Sequence, residues 1–228
     1  MRRVLLAAVV AAAALSISTC GLENLAYLLP PVSPADPASL TNPVFTVENP
    51  LRDAAEVLVF RGFELYYKFF SSDQSSLRDA QSGLVTTREQ LISTYGFSRM
   101  CTEGKLTQVL PFIPVDPADR GDDTLEAVLD FNLSSSSSTP TMSYTGSVPL
   151  VGRYGTIRRS VTDLSGEPKT FAFDKMDSGD ADLAGINWVL FSTDGILDLV
   201  VYAISYGVQD YSHVYSASTP LGFMEYHF

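Results

Sequence analysis

Four carboxylates, Asp174, Asp177, Asp180 and Asp182, share the short polar stretch 174–182. Hard cations such as Ca²⁺ gather several oxygens at short range, so this stretch invites a metal reading. The spacing fails it: Leu183 stands where a calcium loop needs glycine, and no glutamate closes the loop. A polar turn is expected there, and no metal. A second acidic group, Asp119, Asp122 and Asp123, lies in the polar connection after Pro114 and Pro117. Connections 114–124 and 174–185 are the two longest polar ones, and loops carry recognition when sheet faces are consumed by a core. Asp119, Asp122, Asp123, Asp177, Asp180 and Asp182 are therefore the expected partner-binding residues, for a protein or glycan partner. Salt weakens such contacts if the partner is basic.

Other chemistry is sparse. The two cysteines are Cys20 and Cys101, and the two histidines are His213 and His227. An exported domain ordinarily pairs its cysteines; with Cys20 otherwise engaged, Cys101 is expected as a buried, inert thiol. Arg153, Arg158 and Arg159 form one local basic group, suited to a solvated turn or to a carboxylate or phosphate. Nucleophile elbows, zinc-protease helices, phosphate loops and dinucleotide fingerprints are all missing from the sequence. Carboxylate pairs abound, but spacing singles out none for acid–base work. The reading is a non-enzymatic chain with no cofactor.

The N-terminus sets the compartment. Arg2 and Arg3 precede an apolar run over residues 4–15, then Ser16, Ser18, Thr19 and Cys20. Charge, a short apolar stretch and small residues make a secretory signal peptide. The run is shorter than the ~20 apolar residues that span a bilayer. Leu15-Ser16-Ile17-Ser18-Thr19-Cys20 resembles the lipobox of bacterial lipoproteins. That resemblance implies removal of residues 1–19 and a diacylglycerol thioether on Cys20, with further acyl chains such as palmitate. Ile17 and Ser18 fit the pattern. Thr19 departs from it in the manner of the relaxed lipoboxes of spirochaete lipoproteins. Cleavage after Ala12-Ala13-Ala14 is the other reading of the same residues. Gly21 is not the aspartate that retains such proteins at the inner membrane, so an outer-membrane, lipid-anchored envelope protein is expected.

Loss of residues 1–19 removes Arg2 and Arg3 and leaves 13 of the 15 basic residues against 26 acidic ones. A net charge near −13 opposes binding to nucleic acid. The membrane partner is reached through lipid rather than charge, and several acyl chains anchor stably.

Residues 22–50 carry Pro30, Pro31, Pro34, Pro37, Pro43 and Pro50, which remove amide donors and favour an extended chain. This predicts a tether of residues 20–50, with roughly 60 Å of reach for twenty residues at ~3.1 Å each. Residues 51–228 then form the domain. Phe63, Leu65, Tyr67 and Phe69 alternate with Glu64, Tyr66 and Lys68, and Leu125, Ala127, Leu129, Phe131 and Leu133 with Glu126, Asp130 and Asn132. Both have the period of half-buried strands. Ser192-Thr193-Asp194-Gly195 between apolar runs predicts a hairpin, and residues 221–228 a last strand. One helix is expected after Thr86-Thr87, with Glu89 and Gln90 completing a capping box, Leu91, Ile92 and Tyr95 as its apolar stripe and Gly96 to end it. A weaker one spans residues 76–82. Ser134 to Ser138 predict a polar loop. Tyr66, Tyr206, Tyr211 and Tyr215 are the tyrosines expected to be partly exposed.

Many strands and few helices give the fold class: mainly β, an antiparallel β-sandwich with one or two short helices in an insertion. Phe60-Arg61-Gly62-Phe63-Glu64-Leu65-Tyr66-Tyr67-Lys68 resembles the third strand of fibronectin type III domains. Residues 200–207, with Tyr215-Ser216-Ala217-Ser218-Thr219-Pro220, look like the last two. The resemblance implies a fibronectin-like sandwich with an inserted segment over about 71–186. Leu197 or Leu199 replaces that family's tyrosine, and Trp188 falls too late for its tryptophan. A second architecture, a small outer-membrane β-barrel, is suggested by Met224, Tyr226 and Phe228 at period two. Arg120-Gly121-Asp122 resembles the integrin-binding tripeptide, and Asp123 beside it equally suits a charged turn.

Overall fold

The computed structural model describes residues 27–34, 44–102, 111–131, 140–147 and 157–227. Cys20, Leu133, Ser134 to Ser138, Arg153 and Phe228 lie outside them.

Two long strands dominate: β2, Phe60–Ser71, and β7, Ile196–Gln209 (β1 and β3–β6 follow below). Both are dense in aromatic and β-branched residues, the composition that suits a pleated surface. They pair antiparallel with Leu65 opposite Ala203 and Tyr67 opposite Val201. The free edge of β2 takes two short strands, β3, Ser98–Arg99, and β4, Ile113–Pro114. The free edge of β7 takes β8, Ser212–Tyr215, and β9, Thr219–His227. A second antiparallel sheet is built from β1, Val44–Glu48, β5, Glu126–Asp130, and β6, Thr141–Tyr144, in the order β1-β5-β6. The fold is mainly β and antiparallel, as the alternation required.

One core joins the two sheets. Phe45, Val47, Ala127, Leu129 and Phe131 meet Phe63, Leu65, Tyr67, Leu199 and Val201. Phe171 fills the centre, with its ring 5.2 Å from that of Phe131 and 5.0 Å from that of Tyr67, both edge-on. Each such side chain contributes roughly 1.5–3 kcal/mol on burial. At the start of β2 the pairing shifts by a bulge between Phe60 and Gly62. Gly62 has φ +146°, and a side chain there would run into the carbonyl oxygen of Ile113. Glycine alone fits that approach.

The other face of the large sheet is not solvated. Tyr66 and Glu64, expected to alternate outward, are 0% and 1% exposed. Tyr66, Phe70, Val200, Tyr202 and Ile204 form a second core under Leu91 and Phe97. The covering segment holds α2, Ser75–Ser82, and α3, Arg88–Ser93, both anticipated (α1 is described below). Thr87 and Gln90 close the expected capping box of α3. Tyr202 ties the layer down: its hydroxyl donates to the Gln81 carbonyl and accepts from the Leu84 amide at 2.8 Å. Alternation reads β2 as half-buried, with this face turned outward; the covering segment buries it instead.

Three expectations are corrected. Residues 187–195 form no hairpin. They form a helix, α4, Trp188–Asp194, capped by the Asn187 side chain, which accepts from the Leu190 amide at 3.2 Å. Gly195 at φ +67° ends that helix, a role that needs the same left-handed freedom as a hairpin turn. The Ser192 and Thr193 hydroxyls turn back to donate to the Trp188 and Val189 carbonyls.

The stretch expected as a tether contributes to the fold. Strand β1 lies within it, and Val32 bridges Glu48 through two backbone hydrogen bonds, 2.9 and 2.8 Å. The supposed insertion supplies β5 and β6, two of the three strands of the second sheet. With β3 and β4 it supplies four of the nine strands of the described residues.

Residues 27–34 are clasped along β7. Leu28 is buried and lies where a side chain on Gly207 would collide with it. The Leu29 carbonyl accepts from Ser205 Oγ at 2.7 Å and from Arg52 Nη1 at 3.2 Å, and the Pro31 carbonyl accepts from Thr219 Oγ1 at 2.6 Å. Arg52 is buried, pairs with Glu56 and lies 3.8 Å over the ring of Phe60. Glu56 belongs to α1, Ala54–Val59, whose cap Asp53 accepts from the Glu56 amide at 2.8 Å.

Candidate functional site

The covered face of the large sheet ends in a polar cluster. Strand β2 supplies Glu64 and Tyr66, α3 supplies Arg88 as its first residue, and β3 supplies Arg99, which pairs with Tyr66. Across the sheet β7 and β8 bring Tyr206 opposite Tyr215. Alternation puts Glu64, Tyr66 and Tyr206 on one face.

Glu64 sits at the centre. Its carboxylate accepts from Arg88 Nε at 3.0 Å and from the Tyr66 hydroxyl, and lies 3.3 Å from Arg99 Nη1. Arg88 Nε also lies 2.7 Å from the Tyr66 hydroxyl oxygen, and its guanidinium lies 4.4 Å over the Tyr215 ring. Tyr206 stands 2.7 Å from His213 Nδ1, and its ring is 5.6 Å from that of Tyr215.

The electrostatics follow from burial. Burial first, and then the Glu64 charge, push the Tyr66 phenol far above its ordinary range. The same two causes raise Tyr206 and Tyr215 less. Burial alone would lower Arg88, but Tyr66 and Glu64 outweigh it and hold it firmly cationic. Two guanidinium groups face one carboxylate. The side chains of Arg88 and Arg99 are 23% and 27% exposed, so the cluster presents positive charge and a tyrosine face to solvent. Planar donors beside an aromatic ring suit a carboxylate-bearing or glycan ligand.

The sequence-predicted partner residues are divided. Asp122 and Asp123 are exposed. Asp119 is buried and accepts from the amide and hydroxyl of Ser147. The Arg120-Gly121-Asp122 turn is fastened by Asn49, whose side-chain amide donates to the carbonyls of Arg120 and Asp122 at 3.1 and 2.9 Å. In the other loop, Asp177 is 77% exposed, but Asp180 and Asp182 are not solvated. Both grip Arg159, which is fully buried. Arg159 donates to Asp180 at 2.8 Å and twice to Asp182, at 2.8 and 2.5 Å. Lys169 adds a 2.6 Å bond to Asp180, and the Tyr67 hydroxyl donates to Asp182 at 2.5 Å. The expected polar turn is an internal ion network that pins the loop to β2.

The basic group divides likewise. Arg159 is consumed in that network, and Arg158 lines a shallow cleft with Lys169 and Lys175, opposed by Asp163 and Glu167. Cys101 is buried; its thiol donates to the Arg159 carbonyl at 2.9 Å, and burial pushes it up to about 12. Tyr66 and Tyr206 are buried rather than exposed, whereas Tyr211 is fully exposed. Glu64, Arg88, Arg99 and His213 were not singled out by sequence reasoning. The available signal was Tyr66 and Phe70 on the nominally polar face of β2, too apolar for a solvated surface.

No family model, characterised protein or solved structure matches the chain.

Proposed function

We propose that the protein is a lipid-anchored protein of the cell envelope whose sandwich domain serves as a non-enzymatic binding or structural module. The observation that carries this reading is Cys20, preceded by Arg2, Arg3, an apolar run and small residues. That order is the layout of a secretory signal peptide, and its likeness to a lipobox supports modification at Cys20. Gly21 favours the outer membrane. The fold supports a module over the barrel alternative: strands β2 and β7 are buried by protein on both faces, whereas a barrel strand turns one face to lipid. The ligand surface is the Arg88–Arg99–Tyr215 face over the buried Glu64, with the exposed carboxylates Asp122, Asp123 and Asp177 as secondary contacts for a protein or glycan partner.

The anchor is tested by labelling cells with a clickable palmitate analogue. The intact chain incorporates label and Cys20→Ser does not; label surviving that substitution sinks the assignment. The binding face is tested by glycan and protein arrays with the intact protein. Arg88→Gln with Tyr215→Ala reduces capture, and Asp122→Asn with Asp123→Asn has a smaller effect.

A further inference from the structure

The path of residues 27–31 fixes which end of the domain the chain enters. Leu28 lies against Gly207, the Leu29 carbonyl meets Ser205, and the Pro31 carbonyl meets Thr219, the strand partner of Ala203. The chain steps inward along β7 from the end at which β7 finishes and β2 begins. Tyr27 follows Cys20 by seven positions, a span of at most about 25 Å at ~3.6 Å per residue. Strand β7 has 14 residues and so runs roughly 45 Å. A lipid on Cys20 therefore keeps this end within about 25 Å of the membrane and places no such limit on the α4 end.

That same end exposes several large apolar side chains, against Val189 on α4 at the other end. Leu58, at the close of α1, is 74% exposed, and it precedes Val59, which packs beside Leu28 and Gly207. Tyr211, at the tip of the β7–β8 hairpin, is fully exposed. Tyr27 and Leu51, each 71% exposed, lie beside the clasp in which Arg52 donates to the Leu29 carbonyl. The hairpin tip carries a second signal. Asp210 and Tyr211 have φ of +47° and +65°, a turn that Asn-Gly makes with less strain. A bulky residue held in the left-handed region, with its ring in solvent, is an outlier that points to use. Amphipathic tyrosine rings favour the headgroup level of a bilayer.

We propose that this end of the domain rests on the bilayer, with Leu58 and Tyr211 seated at the headgroup level. The proposal rests on the reading that Cys20 is lipidated. Asp53, Asp210 and the 116–123 loop lie around the patch, the loop through Gly121, where a side chain would touch Val57 of α1. Arg61, which donates to the Leu58 carbonyl at 2.6 Å, and Arg120 of that loop offset part of the charge. The carboxylates Asp53, Asp116, Asp122, Asp123 and Asp210 outnumber them. These carboxylates suit zwitterionic headgroups and are repelled by anionic ones. The surface committed to is therefore phosphatidylcholine-like or phosphatidylethanolamine-like.

The only tryptophan, Trp188, lies in α4 at the opposite end and serves as a built-in control. The intact lipidated protein is reconstituted into phosphatidylcholine vesicles brominated high on the acyl chains. Tyr211→Trp and Leu58→Trp, each combined with Trp188→Phe, lose most of their emission relative to unbrominated vesicles, while native Trp188 keeps its own. Brominated phosphatidylglycerol quenches less. Unquenched Trp at both positions, in vesicles that carry the palmitate-labelled protein, overturns the docking while the anchor stands. Equal quenching of native Trp188 overturns the orientation. Absence of label on the intact chain removes the anchor, and the docking with it.

Discussion

Arg159 holds Asp182 with a fork, Nε and Nη2 at 2.8 and 2.5 Å from the two carboxylate oxygens, and neither side chain reaches solvent. The pair joins the 172–185 loop to β2 through Tyr67, so a residue that looked free for a partner is part of the interior. Asp182→Asn leaves the buried Arg159 with Asp180 as its remaining carboxylate, so the cost is that of charge-assisted hydrogen bonds, about 1.5–3 kcal/mol, rather than that of an unmatched buried charge. Asp182→Asn lowers stability by that order in urea unfolding of the intact protein. Asp177→Asn, on the solvent side of the same loop, stays within about 0.5 kcal/mol. Equal effects from the two would show that the network is not what holds the loop.

Stability falls at both ends of the pH scale. Burial alone would raise Asp180, but the Lys169 hydrogen bond and Arg159 hold it below its ordinary value. A depressed carboxyl contributes stability that is present above its unfolded pKa of about 3.9 and is lost as pH falls through the folded value. Burial raises Tyr67 well above its usual range and pushes Tyr202 up to about 12. These phenols contribute stability that is full below about pH 10 and is lost as pH climbs through the folded values. Chemical denaturation across pH shows a plateau bounded at those limits. Asp180→Asn flattens the acid limb and leaves the alkaline limb in place.

The domain begins before β1. A fragment starting at residue 42 loses Leu28, whose burial contributes roughly 2 kcal/mol. It also strips Arg52, Glu56 and Ser205 of their contacts with Leu29. We expect a fragment from residue 21 to unfold cooperatively, and one from residue 42 to melt about 4–8 °C lower from the loss of Leu28 alone and lower again for the lost hydrogen bonds, since each lost kcal/mol shifts the midpoint by about 2–4 °C at this size. Matching midpoints would mean that the clasp is superficial.

The β7–β8 turn is strained where it is exposed. Replacing Asp210-Tyr211 by Asn-Gly keeps both positive φ values and removes the left-handed penalty, roughly 1–2 kcal/mol per residue. The variant gains about 1 kcal/mol in urea unfolding and binds vesicles less firmly when the lipid is present. A loss of stability would show that the Tyr211 ring packs on the domain in solution.

The sequence determined the local features. Period-two alternation marked β2 and β5, because side chains on a pleated strand point to opposite faces whatever the strand pairs with. The Thr87–Gln90 box marked the start of α3, because a cap is satisfied within four residues. Export and the modified cysteine are likewise expectations from a contiguous segment read as linear chain. Tertiary structure decided what depends on distant partners. Asn187 and Gly195 cap a helix although Asp194-Gly195 also suits a turn, because left-handed glycine serves both and only the surrounding packing selects one. The prolines from Pro30 to Pro50 forbid a helix, but Ser205 and Thr219, more than 150 residues away, decide that part of this stretch is clasped to the sheet. Asp182 reads as a solvated loop residue until Arg159 and Tyr67 are brought beside it. Hydrogen bonds and ion pairs act over a few ångströms of space, so a chain read in order shows the groups but not which of them meet.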